Sequence, residues 1–135
     1  MEIDRAIRVA ESLLPGSGPI LLESDPRWQA LMAIRPFVQE EPEAVWDFLR
    51  RYGCYADPTL RHALASCLLQ ELLALHFGTH FQGVVRLVRE SKAFADTFAR
   101  CAKYGQSEQP GNAEAFDDLR SFAERFRRES GSGQR

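Results

Sequence analysis

The chain has 135 residues, 44% of them hydrophobic and 27% charged, with a formal net charge of -2. That is the balance of one ordinary globular domain able to bury a core of its own, and the missing basic surplus argues against a protein that grips nucleic acid by bulk charge. No apolar run reaches the roughly 20 residues that cross a bilayer, since the richest, Ala63 to Leu75, is cut by Ser66, Gln70 and Glu71.

Residues 2–14 carry Ile3, Ala6, Ile7, Ala10, Leu13 and Leu14 at the three-and-four spacing of an amphipathic helix. Pro15-Gly16-Ser17-Gly18-Pro19 ends it, and Ile20, Leu21 and Leu22 are placed to tuck the loop onto the core. Asp25 then reads as an N-cap, because its carboxylate accepts a free first-turn amide and Pro26 has none to lose. This helix is expected to run to about Phe37, with Trp28, Leu31, Met32 and Ile34 as its apolar set and Pro36 near its end. Glu40-Glu41-Pro42-Glu43 opens the third helix, its acids suiting the positive end of the dipole. Val45, Trp46, Phe48, Leu49 and Tyr52 follow, and Gly53 is a natural stop.

Asp57-Pro58 opens a fourth helix, expected to reach about Leu75. It is apolar around most of its circumference, leaving one polar stripe of His62, Ser66 and Gln70, and belongs in the middle of the fold. His76 to His80 reads as a connection. A fifth helix carries Phe81, Val84, Val85, Leu87 and Val88. Ser91 caps a sixth with Phe94, Ala95, Phe98, Cys101 and Ala102, ending at Gly105. Gln106 to Gly111 is a polar loop. Asn112 caps a seventh helix with Phe116, Leu119, Phe122, Ala123 and Phe126. No segment reads as a strand. The expectation is one all-α domain over 1–128 and a disordered tail over 129–135.

The helix starts repeat. Aligned on Asp25, Asp57 and Ser91, the third residue on is Trp28, Leu60 or Phe94, the seventh is Met32, Leu64 or Phe98, and the eighth is Ala33, Ala65 or Ala99. Large residues fill space between helices and the small one admits a close neighbour. Self-similarity at this period is the mark of a helical repeat array.

In these residues the chain resembles the HEAT-like and armadillo-like repeat families, whose second helices open with Asp, an aliphatic-Arg pair and small residues. Asp57, Leu60, Arg61, Ala63 and Ala65 match that pattern. The Asp25 unit departs from it at Gln29 and the Ser91 unit at Ala95. The resemblance implies a short α-solenoid of about three antiparallel pairs, 2–14 with 26–37, 42–52 with 57–75 and 81–90 with 92–104, closed by a capping helix over 113–128. It also implies that residues such as Asp57 and Arg61 tie adjacent repeats together, and that the second helices line a concave side. There His62, Ser66, Gln70, Asp96 and Arg100 would form a polar groove of mixed charge, suited to a protein or peptide.

Other candidates carry less. His76 and His80 are four apart, near Glu71, but Gly78 between them argues for a turn, and zinc needs three or four converging ligands. They read as partly exposed loop histidines, with no metal or cofactor expected. Cys54, Cys67 and Cys101 form no CxxC pair and read as free thiols of a reducing, cytoplasmic setting, Cys67 and Cys101 being buried. Trp46-Asp47 resembles part of the motif of the alkylpurine DNA glycosylases built on HEAT-like repeats, but Arg50 stands where those enzymes carry a second acid. Arg125, Arg127 and Arg128 read as the exposed face of the last helix. The function expected is a non-catalytic protein–protein interaction module. The rivals are a nucleic-acid-associated or glycosylase-like repeat protein and an immunity or inhibitor protein against a toxin or enzyme. Apolar side chains such as Phe77 and Phe81, if exposed, would favour a homodimer.

Overall fold

The computed structural model describes residues 2–14, 25–55 and 57–132. Among them the regular structure is helical throughout: α1 (Ile3–Leu13), α2 (Pro26–Ile34), α3 (Pro42–Tyr52), α4 (Pro58–Leu64), α5 (Gln70–Glu90), α6 (Lys92–Ala99) and α7 (Asn112–Ser132). Short 3-10 turns follow α2 at Arg35–Phe37 and precede α7 at Gly105–Glu108. The segment carrying Ile20, Leu21 and Leu22 lies outside the described residues, as does the end of the tail, although α7 continues through the first part of it.

The three repeat starts are all helix caps. Asp25 Oδ1 accepts from Arg27 N at 2.8 Å, Asp57 Oδ1 from Thr59 N at 2.9 Å and Ser91 Oγ from Phe94 N at 3.0 Å. Each satisfies an amide that the first helical turn cannot pair internally. The shared slot three residues on is filled unequally: Leu60 and Phe94 are buried, while Trp28 is half-buried.

The core is built around α4 and the first half of α5, where Leu64, Leu68, Leu69, Leu72 and Leu73 have no exposed surface. Phe48 and Leu49 of α3, Phe94 and Phe98 of α6 and Phe116 of α7 complete it. α1 packs on α2, α5 lies against α3 and α6, and α7 packs along α6. Phe77 and Phe81 stack at 4.3 Å between ring centroids and are buried. The apolar exposure at these two residues that would have favoured a homodimer is therefore not there.

Two departures from regular helix shape this centre. Between α4 and α5 the residues Ala65–Leu69 form a π-helical turn, with Gln70 N bonding to Ala65 O five residues back. A π-turn inserts one residue, so everything after it is rotated by about 100° relative to an unbroken α-helix. The second departure corrects the expected five-residue connection. His76 to His80 is a kink at a single residue, His76 (φ -138°, ψ 42°), with Gly78 and Thr79 already in the following helical turn. Kinks arise where a side chain enters the helical ladder. Here Gln106 Oε1 accepts from Phe77 N at 2.8 Å, and His76 Nε2 turns to the carbonyls of Val38 and Gln39 at 2.9 and 3.1 Å. Gly105 makes the approach possible: at φ 60° a Cβ there would lie 2.8 Å from Ala74 O. α6 is also shorter than expected, stopping at Ala99, after which Arg100 N and Cys101 N bond only three residues back, to Thr97 O and Phe98 O, and Ala102 N bonds to the Gln70 side chain at 2.8 Å.

The two glycines beside the kink should respond oppositely. Gly105→Ala meets both a left-handed backbone and the Ala74 carbonyl, and is expected to lower the unfolding free energy by about 1–3 kcal/mol. Gly78 is helical with nothing within 4 Å of the position its Cβ would take, so Gly78→Ala is expected to raise stability by about 0.5–1 kcal/mol. Urea unfolding curves of the two variants check both signs.

Candidate functional site

The caps on α4 and α6 fix where their polar residues emerge. Arg61 stands one turn into α4, Asp96 lies on α6, and Arg100 is the C-cap residue one turn further on. α7 brings Arg127 to the same place. Asp96 is 7% exposed. Its Oδ2 accepts from Arg61 Nε and Arg100 Nε, each at 3.1 Å, with Arg61 Nη2 2.9 Å away in the ion pair, and its Oδ1 accepts from Arg127 Nη1 at 2.7 Å. Arg61 Nη1 also donates to the Tyr55 carbonyl at 2.6 Å. One carboxylate thus joins three helices through three guanidiniums. Burial works to raise its pKa, but the hydrogen bonds from Arg127, Arg61 and Arg100 outweigh it and hold the carboxyl below its ordinary 3.8.

Of the expected groove residues, His62 and Arg100 meet at the surface, with Arg100 Nη1 3.5 Å from His62 Nδ1. Ser66 sits beside them, its hydroxyl donating to the His62 carbonyl at 3.0 Å. Asp96 is not a lining residue but the buried floor beneath them, 7% exposed and covered by the three arginines that close on it. Gln70 is half-buried and engaged with Ala102 N. Arg61 and Arg127 belong to the cluster although the sequence did not assign them to it. Arg61 reaches across to α6, and Arg127, read as exposed, is anchored 31 residues away along the chain.

The remaining candidates are built into the fold. His80 is buried at 4% exposure rather than in a loop, with Nδ1 2.8 Å from Thr79 Oγ1 and its ring edge-on to Trp46. Its Nε2 lies 3.0 Å from Glu43 Oε2 but off the line of a hydrogen bond. No group of three or more His, Cys, Asp and Glu side chains among the described residues converges on a metal position. Cys67 and Cys101 are buried, and burial pushes the Cys67 thiol up to about 11 and that of Cys101 further still. Trp46 is half-buried, edge-on to Phe94, and forms one wall of a cleft of about 220 Å³ with Arg50, Gly83, Arg86 and Glu90. Asp47 is exposed and paired with Arg50. A second cleft, about 330 Å³, is lined by Met32, Pro36, Gln39 and Leu75 around an Arg35–Glu71 pair at 3.2 Å, with Glu71 also accepting from the Tyr104 hydroxyl. Burial, reinforced by Glu71, raises the Tyr104 phenol to about 12. No described helix is long and apolar enough to cross a membrane.

No protein-family model matches the chain, and no curated protein or solved structure matches it either.

Asp96→Ala leaves three arginines facing a vacated buried position, and should cost about 2–4 kcal/mol at pH 7. Because the folded-state pKa is depressed, the wild-type contribution is present above the unfolded value of 3.8 and is lost as pH falls through the lower folded value. The stability gap between wild type and Asp96→Ala, read from urea titrations, should therefore stay level from pH 7 to about pH 5 and shrink below 3.8.

Proposed function

We propose that this chain is a short HEAT-like stack whose second helices, α2, α4 and α6, present a recognition face, and that it acts as a non-catalytic protein-interaction module. The like-placed caps Asp25, Asp57 and Ser91 support the repeat. The packing of α7 along the last pair, where an array needs a polar cap, supports it further. The observation that carries the binding reading is the arginine cluster itself. Its guanidiniums are fixed from below by Asp96, while Arg100 and Arg127 keep 32% and 37% of their side-chain surface exposed. Rigidly held arginines lose little freedom on meeting a partner, which is what makes a polar patch a good docking surface. His62 on α4 and Ser66 in the π-turn that follows extend that patch. An immunity or inhibitor protein would use the same face. For nucleic acid, the arginines gather on one point instead of tracking a backbone.

The test is affinity capture from the organism that encodes the chain, comparing wild type with the double variant His62→Ala, Arg100→Glu. A partner recovered by wild type should fall at least tenfold with the variant, measured on protein whose circular dichroism spectrum shows it folded. Equal recovery by both proteins would place the partner surface elsewhere.

A further inference from the structure

We infer that the partner is recognised through an acidic peptide segment, whose Asp or Glu carboxylates dock against Arg100 and Arg127 above Asp96; this rests on the interaction reading just given. The charge arithmetic comes first. Three guanidiniums surround one carboxylate, so the cluster holds two more positive charges than negative ones. The whole chain carries -2, so this excess is local rather than part of a general basic character. Three like charges gathered round one counter-ion leave an uncancelled positive potential where the cluster meets solvent, and that potential attracts an anion.

Hydrogen-bonding capacity points the same way. A guanidinium has five N–H donors. Among the described residues, Arg127 gives one of them to Asp96 Oδ1 through Nη1. Arg100 gives Nε to Asp96 Oδ2 and sets Nη1 beside His62. The Nη2 groups of both arginines have no acceptor among the described residues. Glu124, one turn before Arg127 on α7, makes no ion pair with it among the described residues. Arg61, at 12% side-chain exposure, is the buried member that holds the arrangement together.

The class of anion follows from geometry. The group that these arginines already close round is a carboxylate, held by Nε and Nη donors, and guanidinium forks pair with carboxylates through parallel hydrogen bonds. A flexible acidic segment can place successive carboxylates on Arg100 and Arg127. Extended nucleic acid would need a line of cations, and the cluster supplies a point.

Fluorescence anisotropy with labelled octaglutamate and octaglutamine peptides, inorganic phosphate as competitor and a labelled oligothymidylate of the same length separates the cases. Wild type should bind octaglutamate at least tenfold tighter than octaglutamine and tighter than oligothymidylate, with affinity falling as salt rises. Arg100→Gln with Arg127→Gln should lose at least tenfold in octaglutamate affinity. Arg100→Lys, which keeps the charge and folds with Asp96 still paired, should lose a smaller factor because the fork is gone. Arg50→Gln with Arg86→Gln, in the Trp46 cleft, should leave octaglutamate binding as it was. The inference is overturned if octaglutamate binds no better than octaglutamine, if oligothymidylate binds more tightly or millimolar phosphate displaces octaglutamate completely, or if the Trp46-cleft variant loses as much as the cluster variant. Should octaglutamate fail while a captured native partner still depends on His62 and Arg100, the acidic chemistry falls and the interaction surface stands. Should both fail, both fall.

Discussion

Everything on this face depends on the burial of one carboxylate among three arginines. Asp96 on α6 receives Arg61 from α4, Arg100 from the C-cap of its own helix and Arg127 from α7. A buried ion is costly unless paired and hydrogen-bonded on each side, and here both of its oxygens are occupied by donors. Because the donors come from three helices, the pairing also fixes how those helices sit relative to one another. The exposed edges of the arginines are positioned by the same contacts, so packing and surface chemistry share a cause.

The centre of the fold is shaped by two breaks in the long helical stretch from α4 through α5. The π-turn rotates α5 relative to α4, and Gln70 just after it accepts from Ala102 N beyond the end of α6. The His76 kink then bends α5 around the turn that carries Gly105 and Gln106. In both places a backbone amide that would otherwise lack a partner finds one in a glutamine side chain, Ala102 N in Gln70 and Phe77 N in Gln106. Phe77 is buried, and an unpaired buried amide costs as much as a lost hydrogen bond, whereas Ala102 is exposed and its bond to Gln70 fixes the end of α6 rather than satisfying a buried group. Gln106 is therefore structural, although it reads as an ordinary polar residue.

What is legible in the sequence is local. Asp25, Asp57 and Ser91 announce their helices because a cap acts on amides two or three residues away. The apolar circumference of residues 60–75 announces a buried centre because side-chain period follows from helix geometry. What cannot be read is long-range or depends on a register change. Arg127 looks like a surface residue because nothing within one turn of it pairs with it, and its partner Asp96 lies 31 positions back. Asp96 looks like a groove residue because its sequence neighbours do not reveal the arginines that cover it. The bond from Ala102 N to Gln70 is hidden in the same way, since the two lie 32 positions apart, and a π-turn leaves no simple mark in composition. The kink at His76 reads as a loop because glycine and histidines suggest a turn when the inserted Gln106 lies out of view.

The most direct test of the central claim is a double-mutant cycle between α6 and α7, with Asp96→Asn, Arg127→Gln and the pair, each unfolded in urea at pH 7. If the carboxylate does join the two helices, the coupling energy should be about 1–2 kcal/mol, modest because Arg127 is partly exposed. A coupling of zero, with the two single effects simply adding, would mean that Arg127 does not engage Asp96 in solution and that the cluster does not organise this face.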